Sequence, residues 1–298
     1  LGASDYGAFS VETYVNEYYL VTVSKVICAN ILSGYSLISN DNEIKGILDG
    51  KYFEQRDILN LVDYDYFGWL NNSPYVDLIV PTVKNIQEQL LCYDFSLIPE
   101  EDIFGELLAQ LSQREHRLLL GQDFTPHWVA KNMAEQVLSE IDETPKMLDM
   151  CCGSGVFLIE TIRAVRGKYN IGIDNYSVEK DRIIFSCSMG FDIDPLAVMF
   201  AKVNWVMAMK DLFPLHKGSV VIPVYHADSL FVATPVSHNL SDEKQGVYGL
   251  HFDGNRVDIP SYMLTAEYRS TFDAFMAKCY KLAMVRALNE ESELTEGQ

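Results

Sequence analysis

The stretch Leu148-Asp149-Met150-Cys151-Cys152-Gly153-Ser154-Gly155-Val156-Phe157-Leu158 decides how this chain folds. An apolar strand, read over 146–150, runs into small residues and then directly into a helix read over 155–166. Gly153 and Gly155 allow a tight turn and a close backbone approach to a ligand, at a helix N-terminus whose amides point outward. Ser154 is too small to block that approach. On this stretch alone, the glycines serve the geometry of a strand-to-helix turn as well as they serve a ligand.

Downstream, the pattern repeats. A second strand is read over 183–192, a helix over 195–211 and a third strand over 220–226, with a polar insertion, 167–182, inside the first crossover. Strand, helix, strand, helix, strand in that order implies an α/β fold with a parallel, doubly wound sheet. The second strand ends in Gly190-Phe191-Asp192-Ile193-Asp194-Pro195. Asp194 before Pro195 is a helix start, which explains Asp194 and leaves Asp192 free to accept hydrogen bonds from ribose hydroxyls. The third strand ends in His226-Ala227-Asp228-Ser229-Leu230-Phe231. There Asp228 is either an acceptor for an exocyclic amine or an ordinary turn acid. Upstream, Gly121-Gln122-Asp123-Phe124-Thr125-Pro126 combines an apolar wall, Phe124, with a helix start. Thr125 is read as its N-cap and Pro126 as its first helical residue.

Taken in order, these four segments resemble the gamma-class adenine-N6 DNA methyltransferases of restriction–modification systems, including type I modification subunits and fused type IIG enzymes. The family's G-x-[FY]-[FY]-T-P is matched by Gly121, Phe124, Thr125 and Pro126. Its D-P-x-C-G-S-G-x-F-L is matched at Asp149, Cys152, Gly153, Ser154, Gly155, Phe157 and Leu158, with Met150 in place of Pro. G-x-[DE]-[IL]-[DN]-P-x-A is matched by Gly190, Asp192, Ile193, Asp194, Pro195 and Ala197. The third-strand motif is matched at Asp228, Ser229 and Leu230, with Ala227 in place of Gly. The resemblance implies a Rossmann-like domain that binds S-adenosyl-L-methionine. In that arrangement Thr125 holds the methionine carboxylate with Phe124 as packing, and Asp149 and the 153–155 turn surround the methionine part. Asp192 binds the ribose, Ile193 packs on the adenine face and Asp228 reads its amino group.

The family's catalytic motif, N-P-P-[YFW], has no match after Leu230. Asn72-Ser73-Pro74-Tyr75 is the nearest thing to it, and it reads as a turn: Ser73 stands where the first Pro belongs. The chain is therefore expected to be the donor-binding front part of such an enzyme, inactive alone, with the acceptor half beyond Gln298. The formal net charge of −19 argues against this piece gripping nucleic acid by itself, because duplex binding depends on phosphate neutralisation, so any nucleic-acid reading must place the basic surface elsewhere. DNA would be reached through parts beyond residue 298, and restriction or specificity subunits are candidate partners. Two alternatives differ only in the acceptor: a methyltransferase acting on RNA or protein, or a non-catalytic cofactor-binding scaffold.

The remaining sequence is less informative. Residues 1–118 read as a mostly helical accessory domain, from Val11, Val15, Tyr19, Val23 and Val26 at helical spacing and from Ile103, Leu107, Leu108 and Leu111. Turn chemistry marks 46–50 and 71–74. Residues 119–233 form the cofactor-binding half. Residues 234–298 read as a polar connector to 260 and then an amphipathic helix carrying Phe272, Phe275, Met276, Cys279 and Leu282 on one face. The six cysteines show no metal-ligand spacing and suggest a reducing, cytoplasmic setting. No stretch approaches the ~20 apolar residues of a membrane span.

Overall fold

The computed structural model describes residues 11–34, 38–62, 67–93, 125–227, 229, 247–252, 255–265, 267, 268, 271, 272, 275 and 278. They fall into two compact units, Leu1–Ser229 and Leu230–Gln298. Phe124, Asp228, the 103–111 stripe and most of the expected C-terminal helix lie outside the described residues.

In the first unit, three parallel strands stand in the order β1 (Met147–Asp149), β2 (Ser188–Asp192) and β3 (Val224–His226). Helices connect them: α6 (Val156–Tyr169) and α7 (Val178–Ser186) in the first crossover, α8 (Pro195–Met209) in the second. The α/β class with a small parallel sheet holds. Among the described residues the order advances without reversing, so one wound half is present and the reversal that defines double winding is not.

Three boundaries depart from the sequence reading. Ile183 and Ile184 belong to α7, not to the second strand. Ser177 caps that helix, accepting from the Lys180 amide, and the two isoleucines are its buried residues. Local capping there outweighs β-branched propensity. The third strand begins at Val224; Val220 instead makes an isolated parallel bridge with Ile58. Finally, α5 (His127–Glu140) starts one residue later than expected, with Pro126 in the cap position and no side-chain cap.

Before the sheet come α1 (Val11–Leu32), α2 (Asp41–Asp49), α3 (Lys51–Glu54) and α4 (Tyr75–Leu90). The valine-rich segment is indeed helical, but its first positions are not core: Val11, Val15 and Tyr19 are exposed, whereas Leu20, Val21, Val26, Cys28, Ala29 and Ile31 are buried. The C-terminal half of α1 is enclosed on most sides because it packs on α8. Gly46 lies inside α2, and the turn expected over 46–50 is made by Gly50 alone, at φ 93. Asn72 to Pro74 form the turn before α4, as read from the sequence, and Tyr75 stacks edge-on against Trp69 at 5.4 Å.

The N-terminal helices and the sheet layer share one core. Asn60 shows how they are joined. Its amide accepts from Ile222 N at 2.7 Å and donates to Ile222 O at 2.9 Å, copying a strand partner, while buried Lys202 of α8 donates to Asn60 O.

The second unit contains an antiparallel hairpin, β4 (Val247–Phe252) and β5 (Asn255–Pro260), inside what the sequence reading took for a polar connector. Phe252 pairs with Asn255, so the joining pair in sequence is Asp253-Gly254, a strongly favoured two-residue hairpin dipeptide. Among the described residues no helix is long and apolar enough to cross a membrane.

Candidate functional site

Parallel strands present their carboxyl ends to one edge of a sheet, and here that edge carries Asp149, Asp192 and His226. The backbone stays in register past the strands: Cys152 N donates to Phe191 O and Ala227 N to Asp192 O. The three segments singled out in the sequence are therefore brought together.

The turn between β1 and α6 is built on two glycines with different duties. Gly155 has φ 91, and a Cβ there would meet Ala201 of α8 at 3.1 Å. It is needed for the close approach of helix and turn. Gly153 has φ 52 and nothing within 4 Å of where a Cβ would be, so the space above its backbone is open. Between them Ser154 is buried, and its carbonyl accepts from Asn204 Nδ2 of α8 at 2.9 Å. A third glycine supports the arrangement from below. At Gly190 a Cβ would come within 2.9 Å of both Cys152 Sγ and Leu158 Cδ1. Cys152 is buried packing, its thiol pushed up by that burial and then by Asp192 and Asp149.

The carboxylates organise the rest. Asp192 accepts from Gly153 N at 2.7 Å through one oxygen and from Asp194 N at 2.9 Å through the other, tying the two strand-to-helix turns to each other. Counting the described residues, each oxygen has a second lone pair for a further donor. Asp194 caps α8 by accepting from Leu196 N at 2.9 Å, as its place before Pro195 implied. Asp149 accepts from Cys151 N at 3.1 Å. Burial holds the Asp149 carboxyl above its ordinary range, the Cys151 amide opposes this, and Asp192 adds to the rise. Asp194 is raised chiefly by burial as well.

Glu17, on α1, is a residue the sequence reading missed. Burial and then the nearby Asp194 push its carboxyl from 4.5 up to about 7. Nothing local in the sequence marks it; only the packing of α1 on α8 brings it to this edge. Asn204 was missed because its part depends on α8 meeting the glycine turn.

Other candidates are placed as follows. Ile193 is 65% exposed beside Asp192, an apolar side chain presented to solvent. Ser229 lies near the turn, its Oγ 3.6 Å from Cys151 Sγ. Phe157 lines a cavity of about 230 Å³ together with Leu148, Asp149, Met150 and Thr161. That cavity includes Asp149 but neither Asp192 nor Ile193, and it is smaller than the roughly 300 Å³ at which whole-ligand pockets begin. Thr125 is half-buried and Pro126 exposed. They precede α5, whose first residue, His127, contacts Glu160 of α6.

The assembled edge offers outward backbone around Gly153, a shared carboxylate at Asp192 and an exposed apolar residue at Ile193. Four acids belong to this region: beyond burial, Asp192 raises the carboxyls of Asp149 and Asp194, and Asp194 raises that of Glu17. Such a site favours a ligand that carries hydroxyl donors and positive charge. Among the described residues no group of His, Cys, Asp and Glu has the arrangement of a metal site.

Residues 100–232 match the family model for N-6 DNA Methylase. No curated protein matches the chain. Among solved structures it is similar to one described as the modification subunit of a type I restriction enzyme from Vibrio vulnificus YJ016. Identity is 13% and the TM-score 0.35, over 76% of this chain and 52% of that one. The chain thus spans about half the length of that protein.

Proposed function

We propose that this chain carries the methyl-donor site of an S-adenosylmethionine-dependent DNA adenine-N6 methyltransferase of a restriction–modification system. The observation that carries the reading is the link from Gly153 N to Asp192, which joins two of the matched motifs at one sheet edge. The match of residues 100–232 to the N-6 DNA Methylase model supports it independently.

The residues present suit this cofactor. Its sulfonium and ammonium groups are cationic, and the site is an arrangement of carboxylates. Its ribose offers two hydroxyl donors to the lone pairs that Asp192 keeps. The open space over Gly153 admits a ligand close to the backbone. When bound, the cofactor supplies an electrophilic methyl group on sulfur. Asp192 would hold the ribose, Ile193 would lie against the adenine, and Asp149 with the 153–155 turn would enclose the methionine portion. Thr125 and Phe124 would meet the carboxylate, and Asp228 the adenine amine. The Asn-Pro-Pro-aromatic segment that positions a flipped adenine would come from outside this chain, as would the basic surface that grips DNA.

The test is isothermal titration of the chain with S-adenosylmethionine and with S-adenosylhomocysteine. Saturable binding of both, and no methyl transfer to adenine-containing DNA by the chain alone, is the expected result. A folded sample that gives no heat with either ligand contradicts the donor-site assignment. Transfer that is lost in Asn72→Ala would contradict the reading of Asn72–Tyr75 as a turn.

A further inference from the structure

The helix that would present Thr125 packs closely on α6 through a short row of mostly small residues. The buried residues of α5 are Ala130, Ala134 and Leu138, two of them too small to fix a helix against sliding or rotation. What grips α5 is polar, and it comes from α6 at both ends. At the C-terminal end Lys168 donates to the carbonyls of Leu138 and Ile141, a favourable place for a cation. At the N-terminal end stand Glu160, Arg163 and His127. The Glu160 side chain is 2% exposed. It accepts from Arg163 Nη1 at 2.7 Å, and its Oε1 lies 2.6 Å from His127 Nε2. Arg163 Nη1 lies 2.7 Å from the same imidazole nitrogen.

A buried carboxylate is costly unless donors fill its lone pairs, so this cluster specifies one geometry. One ring nitrogen cannot donate to Glu160 and accept from Arg163 together; the proton on His127 selects between them. Glu160 is in the second turn of α6, immediately after the 153–155 turn, and His127 follows Thr125 by two residues. The cluster therefore sets the distance between the start of α5 and the glycine turn. Pro126 offers no side-chain cap, and its carbonyl closes the first turn of α5 by accepting from Val129 N at 2.9 Å and Ala130 N at 3.3 Å.

We propose that Glu160, Arg163 and His127 are positioning residues for the carboxylate end of the donor molecule, holding the α5 N-terminus at a fixed reach from the glycine turn. The proposal rests on the donor-site reading above. It assigns the three side chains no contact with the adenosine part.

The experiment compares two ligands on the 298-residue chain: S-adenosylhomocysteine, and 5′-methylthioadenosine, which keeps the adenosine and thioether but has no carboxylate. His127→Ala should weaken S-adenosylhomocysteine by about tenfold or more and methylthioadenosine by less than about twofold. Glu160→Gln keeps an acceptor oxygen and should show the same split with a smaller loss. Lys168→Met loosens the other end of the same helix pair; it should lower thermal stability without splitting the ligands. Equal losses for both ligands in His127→Ala, or the same split in Lys168→Met, overturn the positioning role and leave the donor site standing. A wild-type chain that binds neither ligand overturns both.

Discussion

The two strand-to-helix turns at the carboxyl edge of the sheet meet the same geometric demand with different chemistry. After β1 the turn is made by backbone freedom, with Gly153 and Gly155 at positive φ. After β2 it is made by side chains, with Asp192 bonding the Asp194 amide and Asp194 capping α8. The glycine turn leaves its upper surface bare. At the aspartate turn each Asp192 oxygen accepts one hydrogen bond among the described residues, beside an exposed Ile193. One turn supplies room and the other supplies acceptors, and the Gly153–Asp192 bond makes them a single cradle. The contrast implies that damage to the first should fall mainly on folding, and damage to the second mainly on ligand affinity.

The largest effect is expected at Gly155. A valine there adopts a left-handed conformation at a cost of about 1–2 kcal/mol and drives its side chain into Ala201, adding about 1–3 kcal/mol. Urea unfolding of Gly155→Val should show a loss on the order of 3 kcal/mol. A loss below about 0.5 kcal/mol would mean that the glycine turn is not closely packed on α8.

Asp192→Ala tests the other turn. Ribose hydroxyls without their acceptor should weaken S-adenosylhomocysteine by ~1–3 kcal/mol in titration. Asp194→Ala, one turn residue away, removes a helix cap worth about 1 kcal/mol of stability and should leave affinity nearly unchanged. If the two substitutions weaken the ligand equally, the division of labour within this turn is wrong.

The smallest effect concerns Glu17. Its carboxyl is ordinary in the unfolded chain, at 4.5, and raised to about 7 in the fold. Between those values the folded chain keeps a proton that the unfolded chain has lost, so the stability tied to Glu17 is present below pH 4.5 and is lost as pH rises to about 7. The raised carboxyls of Asp149 and Asp194 act in the same direction from their ordinary 3.8 upward. Glu17→Gln should flatten the upper part of this slope in a series of melts from pH 4.5 to 7.5. An unaltered slope would place the effect on other groups.

What the sequence made legible was local. Small residues between an apolar strand and a helix, and an Asp-Pro helix start, are short-range patterns, and they located β1, the glycine turn and the start of α8 closely. Boundaries that rested on apolar runs were less secure. Ile183 and Ile184 look like strand residues, yet Ser177 starts a short helix whose inner side they form. In α8 every residue from Ala197 to Met209 is buried, so the Asp-Pro start and not a polar face located the helix read over 195–211, which ends at Met209. The hairpin in the second unit was announced only by Asp253-Gly254, a signal overlooked in a polar stretch. Glu17 and Asn204 could not be found at all, because the one depends on α1 meeting α8 and the other on α8 meeting the glycine turn.

Hydrogen exchange with and without saturating S-adenosylhomocysteine tests the central claim most directly, because it reports where a ligand sits. The expected result is slowed exchange over the glycine turn, 151–156, and over the aspartate turn, 192–196, with none over 72–90. Binding that protects neither turn, or that protects the segment around Asn72–Tyr75 instead, would contradict the donor site described here.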